Sequence, residues 1–401
     1  MKIDENKIEN VLLRGVENIY PNKEALEKKL KSGDKIKLYC GYDPTAPTLH
    51  IGHAITLLKL AQFQELGHEV IMLIGDFTGM IGDPTDKATV RKKLTRQEVL
   101  KNSERYKKLA SKILNFDGEN PAKILYNSEW NDKLSYVDII ELASNFTAQQ
   151  MFARDMFQER IKNDKPIYLH EFLYPLTQAY DSVAIDVDLE IGGNDQTFNM
   201  LVGRDLMKAV KNKEKFVLTT KLLVDSSGKK MGKSEGNMVA LDDEPVNMLG
   251  KIMSWPDELI IIGFELCTSL LLNDIDEINE QMKSDKLNPR DAKMQLAKEI
   301  VTIFHNKEDA DRAEQEFEKV FKEKEVPSEI IEVIIKEDKI NLPDFLTESE
   351  LTPSKTEAKR LIEQGAVKIN DKVIKDWKKE VKIDDGAIIQ VGKRRFVRII
   401  K

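Results

Sequence analysis

The sequence predicts a doubly wound, parallel-sheet (Rossmann-like) α/β domain, then an all-α domain, then a small α+β domain. Three observations carry that prediction. Short apolar runs alternate with helical patterns over residues 1–240, helical periodicity continues alone over 241–325, and a basic module closes the chain over 343–401 after a connector at 326–342. An amphipathic segment, "IENVLLRGVENIY", comes first. The runs "KIKLYCG", "EVIMLIGD", "AKILYN", "VDLEIGG" and "FVLTTKLL" read as strands. The patterns "AITLLKLAQFQEL", "QEVLKNSERYKKLASKIL" and "YVDIIELASNF" lie among them as helices, which is the order that builds βαβ units. "NPRDAKMQLAKEIVTIF" and "EDADRAEQEFEKVF" are the clearest helices of the all-α stretch. The segment "EVPSEIIEVIIKEDKINLPDFLTESELTPS" reads as a partly ordered connector because it carries three prolines and few small residues.

Composition narrows the class of protein. With 401 residues, 41% hydrophobic and 33% charged, the chain can bury more than one core and reads as soluble. The start "MKIDENKIEN" lacks the apolar core of a signal peptide, and "ELIIIGFEL" is far too short to span a bilayer, so a cytoplasmic protein with no membrane partner is expected. Cys40 and Cys267 stand far apart and outside any CxxC, which fits plain buried thiols and neither a disulfide framework nor a metal site. From Lys355 to Lys401 there are 14 Lys and Arg against 7 Asp and Glu, while the preceding residues hold 48 against 62. A basic tail on an acidic body suits a polyanionic partner, and equally a solvated charged surface.

Two stretches concentrate chemistry. In "YCGYDPTAPTLHIGHA" a strand ends near Gly41, a proline-containing turn follows, and a helix opens around His50. A helix N-terminus at the end of a parallel strand offers N–H groups and a positive dipole end to phosphate. His50 and His53, three apart, share one face there, and Gly52 between them would let a flat base approach the backbone; capping or packing is the alternative for both histidines. The second stretch, "DSSGKKMGKSEGN", is a polar, lysine-bearing loop after the strand "FVLTTKLL". Such a loop can close over a triphosphate, or can simply be exposed. It does not fit the GxxxxGK[ST] pattern of a P-loop.

Together, "HIGH" at His50–His53 and "KMGKS" at Lys230–Ser234 resemble the paired signature of class I aminoacyl-tRNA synthetases. "GYDPTAPTLHIGH", "TGMIGDPTDK", "LYPLTQAYD", "IGGNDQ", "NPRDAKMQLA" and "SKTEAKRLIEQGAVKIN" extend the resemblance over essentially the full length, to the tyrosyl-tRNA synthetases in their bacterial form with a C-terminal RNA-binding domain. Gly232 stands where the motif has serine, and "IGGNDQTFN" lacks a tryptophan often found after the Gln, which resembles the second bacterial subgroup.

The resemblance implies two steps: the tyrosine carboxylate attacks the α-phosphate of ATP to give tyrosyl-adenylate and pyrophosphate, and a tRNA(Tyr) ribose hydroxyl then takes the tyrosyl group. Catalysis would rest on positioning and on stabilising phosphate charge. By resemblance, His50 and His53 contact the nucleotide phosphates in the transition state. Lys230 and Lys233 hold the leaving pyrophosphate, and Lys87 with Arg91 forms a further basic pair over it. Mg2+ would accompany ATP through its phosphates. Gly41 and Asp43 would line the ATP side of the turn, and Gly193 and Asp195 would meet the ribose. Tyr39 and Asp181 match the pair that reads the phenolic hydroxyl. A pocket built to hydrogen-bond that hydroxyl rejects phenylalanine, as tyrosyl-tRNA synthetases are known to do, because its buried polar groups would be left unpaired. Tyr174 and Gln178, on one helix face with Asp181, join Asp83 as a cradle for the substrate α-amino group, and Gln196 meets the amino-acid end. Asp43 could equally serve the turn, Asp83 a turn or a helix cap. In the tail, Lys355, Lys359 and Arg360 on a helix and Lys393, Arg394 and Arg395 in "VGKRRFVRI" would contact RNA phosphates. A homodimer is implied. Two alternatives are the tryptophanyl relative, whose indole pocket has no phenolic hydroxyl to satisfy, and an RNA-binding or RNA-folding protein on a synthetase scaffold.

Overall fold

The computed structural model describes residues 3–83, 94–225, 238–319, 331–335, 339–349, 351–370, 372–392 and 395–401. The chain forms two compact units, one of residues 1–243 with 251–304 and one of 244–250 with 305–401.

The first unit is built on a six-stranded sheet of β1 (Val16–Tyr20), β2 (Lys37–Tyr42), β3 (Glu69–Ile74), β4 (Lys123–Tyr126), β5 (Leu189–Gly193) and β6 (Phe216–Thr220), in the order β1-β6-β5-β2-β3-β4. The five strands expected from sequence are β2 to β6, all mutually parallel along the sheet. β1 is new: it pairs antiparallel with β6 at the edge. The N-terminal segment read as one amphipathic stretch therefore divides into a helix, Glu5–Leu13, and this strand. Gly15, at φ +61°, makes the break in a conformation that a side chain disfavours. "QEVLKNSERYKKLASKIL" likewise divides, into helices Arg96–Ser103 and Tyr106–Ala110.

The strand order fixes where a ligand can sit. From β2 the chain steps outward through β3 to β4, then returns to place β5 on the other side of β2. The carboxyl ends of β2 and β5 thus flank the topological switch point, where open α/β sheets leave a crevice. Helix Ile51–Glu65 follows β2, and the 3₁₀ turn Asn194–Gln196 with helix Thr197–Lys211 follows β5. Helices Leu259–Cys267 and Pro289–Phe304 also lie in this unit. Both cysteines are buried and free, and burial pushes each thiol up to about 12, so they are inert.

The second unit holds helix Lys307–Glu318 and a five-stranded sheet of β7 (Ile331–Ile334), β9 (Val367–Ile369), β10 (Lys372–Ile374), β12 (Ile388–Val391) and β13 (Arg395–Ile400), in the order β10-β9-β12-β13-β7. β8 (Lys339–Ile340) pairs with β11 (Val381–Lys382). Part of the stretch read as a connector is therefore sheet: β7 runs parallel to β13, and Ile340 and Leu342 join a core with Ile362, Ile389 and Val397. Among the described residues, no helix is long and apolar enough to cross a membrane.

Candidate active site

The two histidines are organised by the helix start. His50 is the N-cap of Ile51–Glu65, and its Nδ1 accepts from the Gly52 N–H at 3.1 Å. The His53 Nδ1 in turn accepts from the His50 N–H at 3.1 Å. The rings stack with centroids 3.8 Å apart. An imidazole nitrogen that accepts from a backbone N–H carries no proton, so each neutral ring bears its proton on Nε2, a donor of the kind a phosphate oxygen takes. Capping and phosphate binding are therefore compatible here, because they use opposite nitrogens. A Cβ at position 52 would come within 3.0 Å of the His50 ring, so Gly52 makes room for that histidine. A Cβ on Gly41 would meet nothing within 4 Å among the described residues.

Lys87, Arg91, Lys230, Lys233, Lys393 and Arg394 lie outside the described residues. The chain after the lysine loop resumes beside the histidines: the Ile51 N–H donates to the Val239 carbonyl at 2.9 Å, and His50 bridges Ala240.

A second cluster lies around helix Leu169–Ile185. Tyr174 donates its hydroxyl to Asp43 at 2.8 Å, and Thr78 donates to the other Asp43 oxygen at 2.7 Å. Asp43 thus ties the turn after β2 to the helix carrying Tyr174. Gln196 donates to Asp83 at 2.6 Å, and Arg154, stacked over the Phe198 ring, stands 3.8 Å from the same carboxylate. A Cβ at Gly193 would fall 2.5 Å from the Asp195 carboxylate, so glycine lets that side chain lie where it does.

Tyr39 and Asp181 are both buried, but each has its own partners. The Tyr39 hydroxyl pairs with Ser182 at 3.0 Å. Asp181 accepts from Trp130 Nε1 at 2.7 Å, Asn131 at 3.1 Å and Asn127 at 3.2 Å. Burial pushes the Asp181 carboxyl up to about 8 against these three donors, and burial likewise holds the Tyr39 phenol well above its usual range.

A family model described as tRNA synthetases class I (W and Y) matches residues 31–322, and a Tyrosine--tRNA ligase SYY-like C-terminal domain matches 316–399. A tyrosine--tRNA ligase of Carboxydothermus hydrogenoformans is 46% identical, covering 100% of this chain and 99% of that protein. One of Moorella thermoacetica is 44% identical, with 97% and 94% covered. The chain belongs to the tyrosyl-tRNA synthetase family. Among solved structures of that family, a C-terminally truncated mitochondrial enzyme from Coccidioides posadasii is similar at TM-score 0.64 and 25% identity, covering 77% of this chain and 91% of that one. An Archaeoglobus fulgidus enzyme complexed with L-tyrosine has the same fold, with TM-score 0.62 and 24% identity over 78% and 98% of the two chains.

Several polar residues of this synthetase fold went unread in sequence: Arg154, the Asn127, Trp130 and Asn131 group, and the buried Ser182, Glu190 and Lys215. Only Glu190 gave a signal, as a charge inside the apolar run "VDLEIGG". In the C-terminal unit the four described residues among the expected RNA contacts have protein partners. Lys355 pairs with Asp344 at 2.9 Å, Arg360 with Glu357 at 2.6 Å, and the Lys359 ammonium lies 4.3 Å from the Trp377 ring centroid. Arg395 donates to the Leu351 carbonyl.

Proposed function

We propose that the protein is a tyrosine–tRNA ligase. It activates L-tyrosine with ATP to tyrosyl-adenylate and pyrophosphate, then transfers the tyrosyl group to the 3′ end of tRNA(Tyr). The observation that carries this reading is the pairing, at one switch point, of a histidine-capped helix start with a buried carboxylate and phenol. The first suits phosphates; the second suits a phenolic side chain.

In this reading the His50 and His53 Nε2–H groups donate to ATP phosphate oxygens. Lys230 and Lys233, with Lys87 and Arg91, stabilise the charge that moves to pyrophosphate. Gly41 and Asp43 border the nucleotide, and Gly193 and Asp195 the ribose. Asp83, Tyr174, Gln178 and Gln196 receive the amino-acid end, while Tyr39 and Asp181 read the phenolic hydroxyl. Mg2+ would take its ligands mainly from the ATP phosphates. Identity of 44–46% to tyrosine--tRNA ligases over nearly the whole chain favours this ligase over its tryptophanyl relative.

The protein would act in the cytoplasm as a homodimer. Helix Tyr136–Ala143 supports the dimer: it buries no residue of its own and exposes Tyr136, Val137 and Ile140, the kind of apolar face a partner subunit covers. The domain over 343–401 would bind RNA. Two assays test the reading. Labelled tyrosine should enter tRNA(Tyr) when ATP and Mg2+ are supplied, and no charging would refute it. Sedimentation should give a dimer that Val137→Glu with Ile140→Glu converts to monomer.

A further inference from the structure

Beneath the amino-acid cluster lies an ion pair that the reaction as described does not use. Glu190 on β5 and Lys215 just before β6 are 2% and 0% exposed, and they bond directly. The Lys215 ammonium has three acceptors: Glu190, the Ser182 hydroxyl at 2.8 Å and the Met200 carbonyl at 3.2 Å. The other Glu190 oxygen accepts from the Gln178 Nε2 at 3.0 Å. Ser182, held by Lys215, pairs with the Tyr39 hydroxyl at 3.0 Å. Two of the residues assigned to tyrosine thus rest on one buried pair.

Such a pair is poor at stabilising a fold, since apolar residues of the same volume often do as well. A neighbouring helix is nevertheless shaped to admit it. Gly203, inside Thr197–Lys211, stands where a Cβ would come within 2.6 Å of the Lys215 ammonium and 3.1 Å of the Ser182 hydroxyl. A carboxylate only accepts hydrogen bonds, so the Gln178 amide must turn its NH2 to Glu190, which orients its carbonyl the opposite way. A carbonyl is what a substrate ammonium needs.

We propose that Glu190 and Lys215 are positioning residues of the tyrosine site: Glu190 fixes the Gln178 carbonyl as an acceptor for the substrate ammonium, and Lys215, through Ser182, holds the Tyr39 hydroxyl. The inference rests on the ligase reading above and assigns that site a shared polar support.

The test replaces both charges at once, Glu190→Gln with Lys215→Met, so that no unpaired charge is buried. Tyrosine-dependent pyrophosphate exchange then gives KM for tyrosine and for ATP. Competition by tyrosinol, which keeps the ammonium, and by 3-(4-hydroxyphenyl)propionate, which lacks it, separates the two ends of the substrate. The tyrosine KM should rise about tenfold or more and the preference for tyrosinol should fall by a similar factor, as expected for a lost hydrogen bond to a charged group, while the ATP KM stays within about twofold. A merely structural pair would lower the melting temperature and leave the tyrosinol preference intact, which would overturn the proposal. Should the double variant not fold, Ser182→Ala cuts the link to Tyr39 together with the Lys215–Ser182 bond, while the Glu190–Lys215 and Glu190–Gln178 bonds stay in place. Discrimination of tyrosine from phenylalanine should then fall several-fold, about 1 kcal/mol's worth of hydrogen bond, and unchanged discrimination would overturn the proposal. Wild-type protein without tyrosine-dependent exchange would instead refute the ligase reading, and this inference with it.

Discussion

In the proposed ligase, Asp181 is the side chain to which specificity for the phenol is assigned. Its carboxylate is 2% exposed and faces three N–H donors from Trp130, Asn131 and Asn127. Those donors favour the ionised form, and burial opposes them enough to bring the carboxyl up to about 8. Only the ionised form can accept from a phenolic hydroxyl without offering a competing proton. The kcat/KM for tyrosine activation should therefore climb as pH rises towards about 8, and Asp181→Asn should lose both that limb and most tyrosine activation, with Thr177→Ala as an unaffected control. The sign for stability is opposite. A carboxyl raised from its unfolded value of 3.8 binds its proton more tightly when folded, so its contribution is full below that value and is lost as pH rises through 8. Thermal melts of wild type against Asp181→Asn across pH 5–9 would read it. The sequence disclosed Asp181 and Tyr39 because the motif residues sit in a recognisable order. It concealed Ser182, Asn127 and Asn131, because a small polar residue bonded in a core has no periodic or compositional signature.

At the scale of the element, helix Ile51–Glu65 links local folding to chemistry. Its N-terminus is closed by imidazole side chains in place of the usual Ser, Thr or Asp, and in the proposed reading the cap would double as a phosphate donor. His50→Asn separates the two roles. Asparagine restores the cap, so stability should stay within about 0.5 kcal/mol by urea melt, while adenylate formation should fall by about tenfold or more. Equal losses in both would mean that the histidine only caps. Helix and strand positions were largely legible, because β2 to β6 fall in short, mainly apolar runs, and helix Ile51–Glu65 shows as an apolar segment too long for a strand although its buried residues lie on most of its faces. β1 was not, since it is a five-residue edge strand that completes an apolar helical pattern interrupted only at Gly15. β7 escaped for a related reason: among the described residues "IEVI" pairs only with β13, more than sixty residues later, and that partner leaves no local mark.

For the whole molecule, the division of labour follows from which strands complete which sheet. A deletion beginning at residue 343 would leave β7 and β8 without their partners β13 and β11. Removing 331–401 takes the C-terminal sheet as a set, so it should spare adenylate formation and weaken tRNA charging by about tenfold or more, consistent with the loss of several phosphate contacts. Normal charging by the truncated enzyme would contradict the RNA-binding role. The central claim, that one switch point activates tyrosine with ATP, is tested most directly by exchange of labelled pyrophosphate into ATP, run with Mg2+ and each of the twenty amino acids in turn, without tRNA. Exchange with tyrosine and with no other amino acid is the predicted result. Exchange with none, or with tryptophan in place of tyrosine, would contradict it.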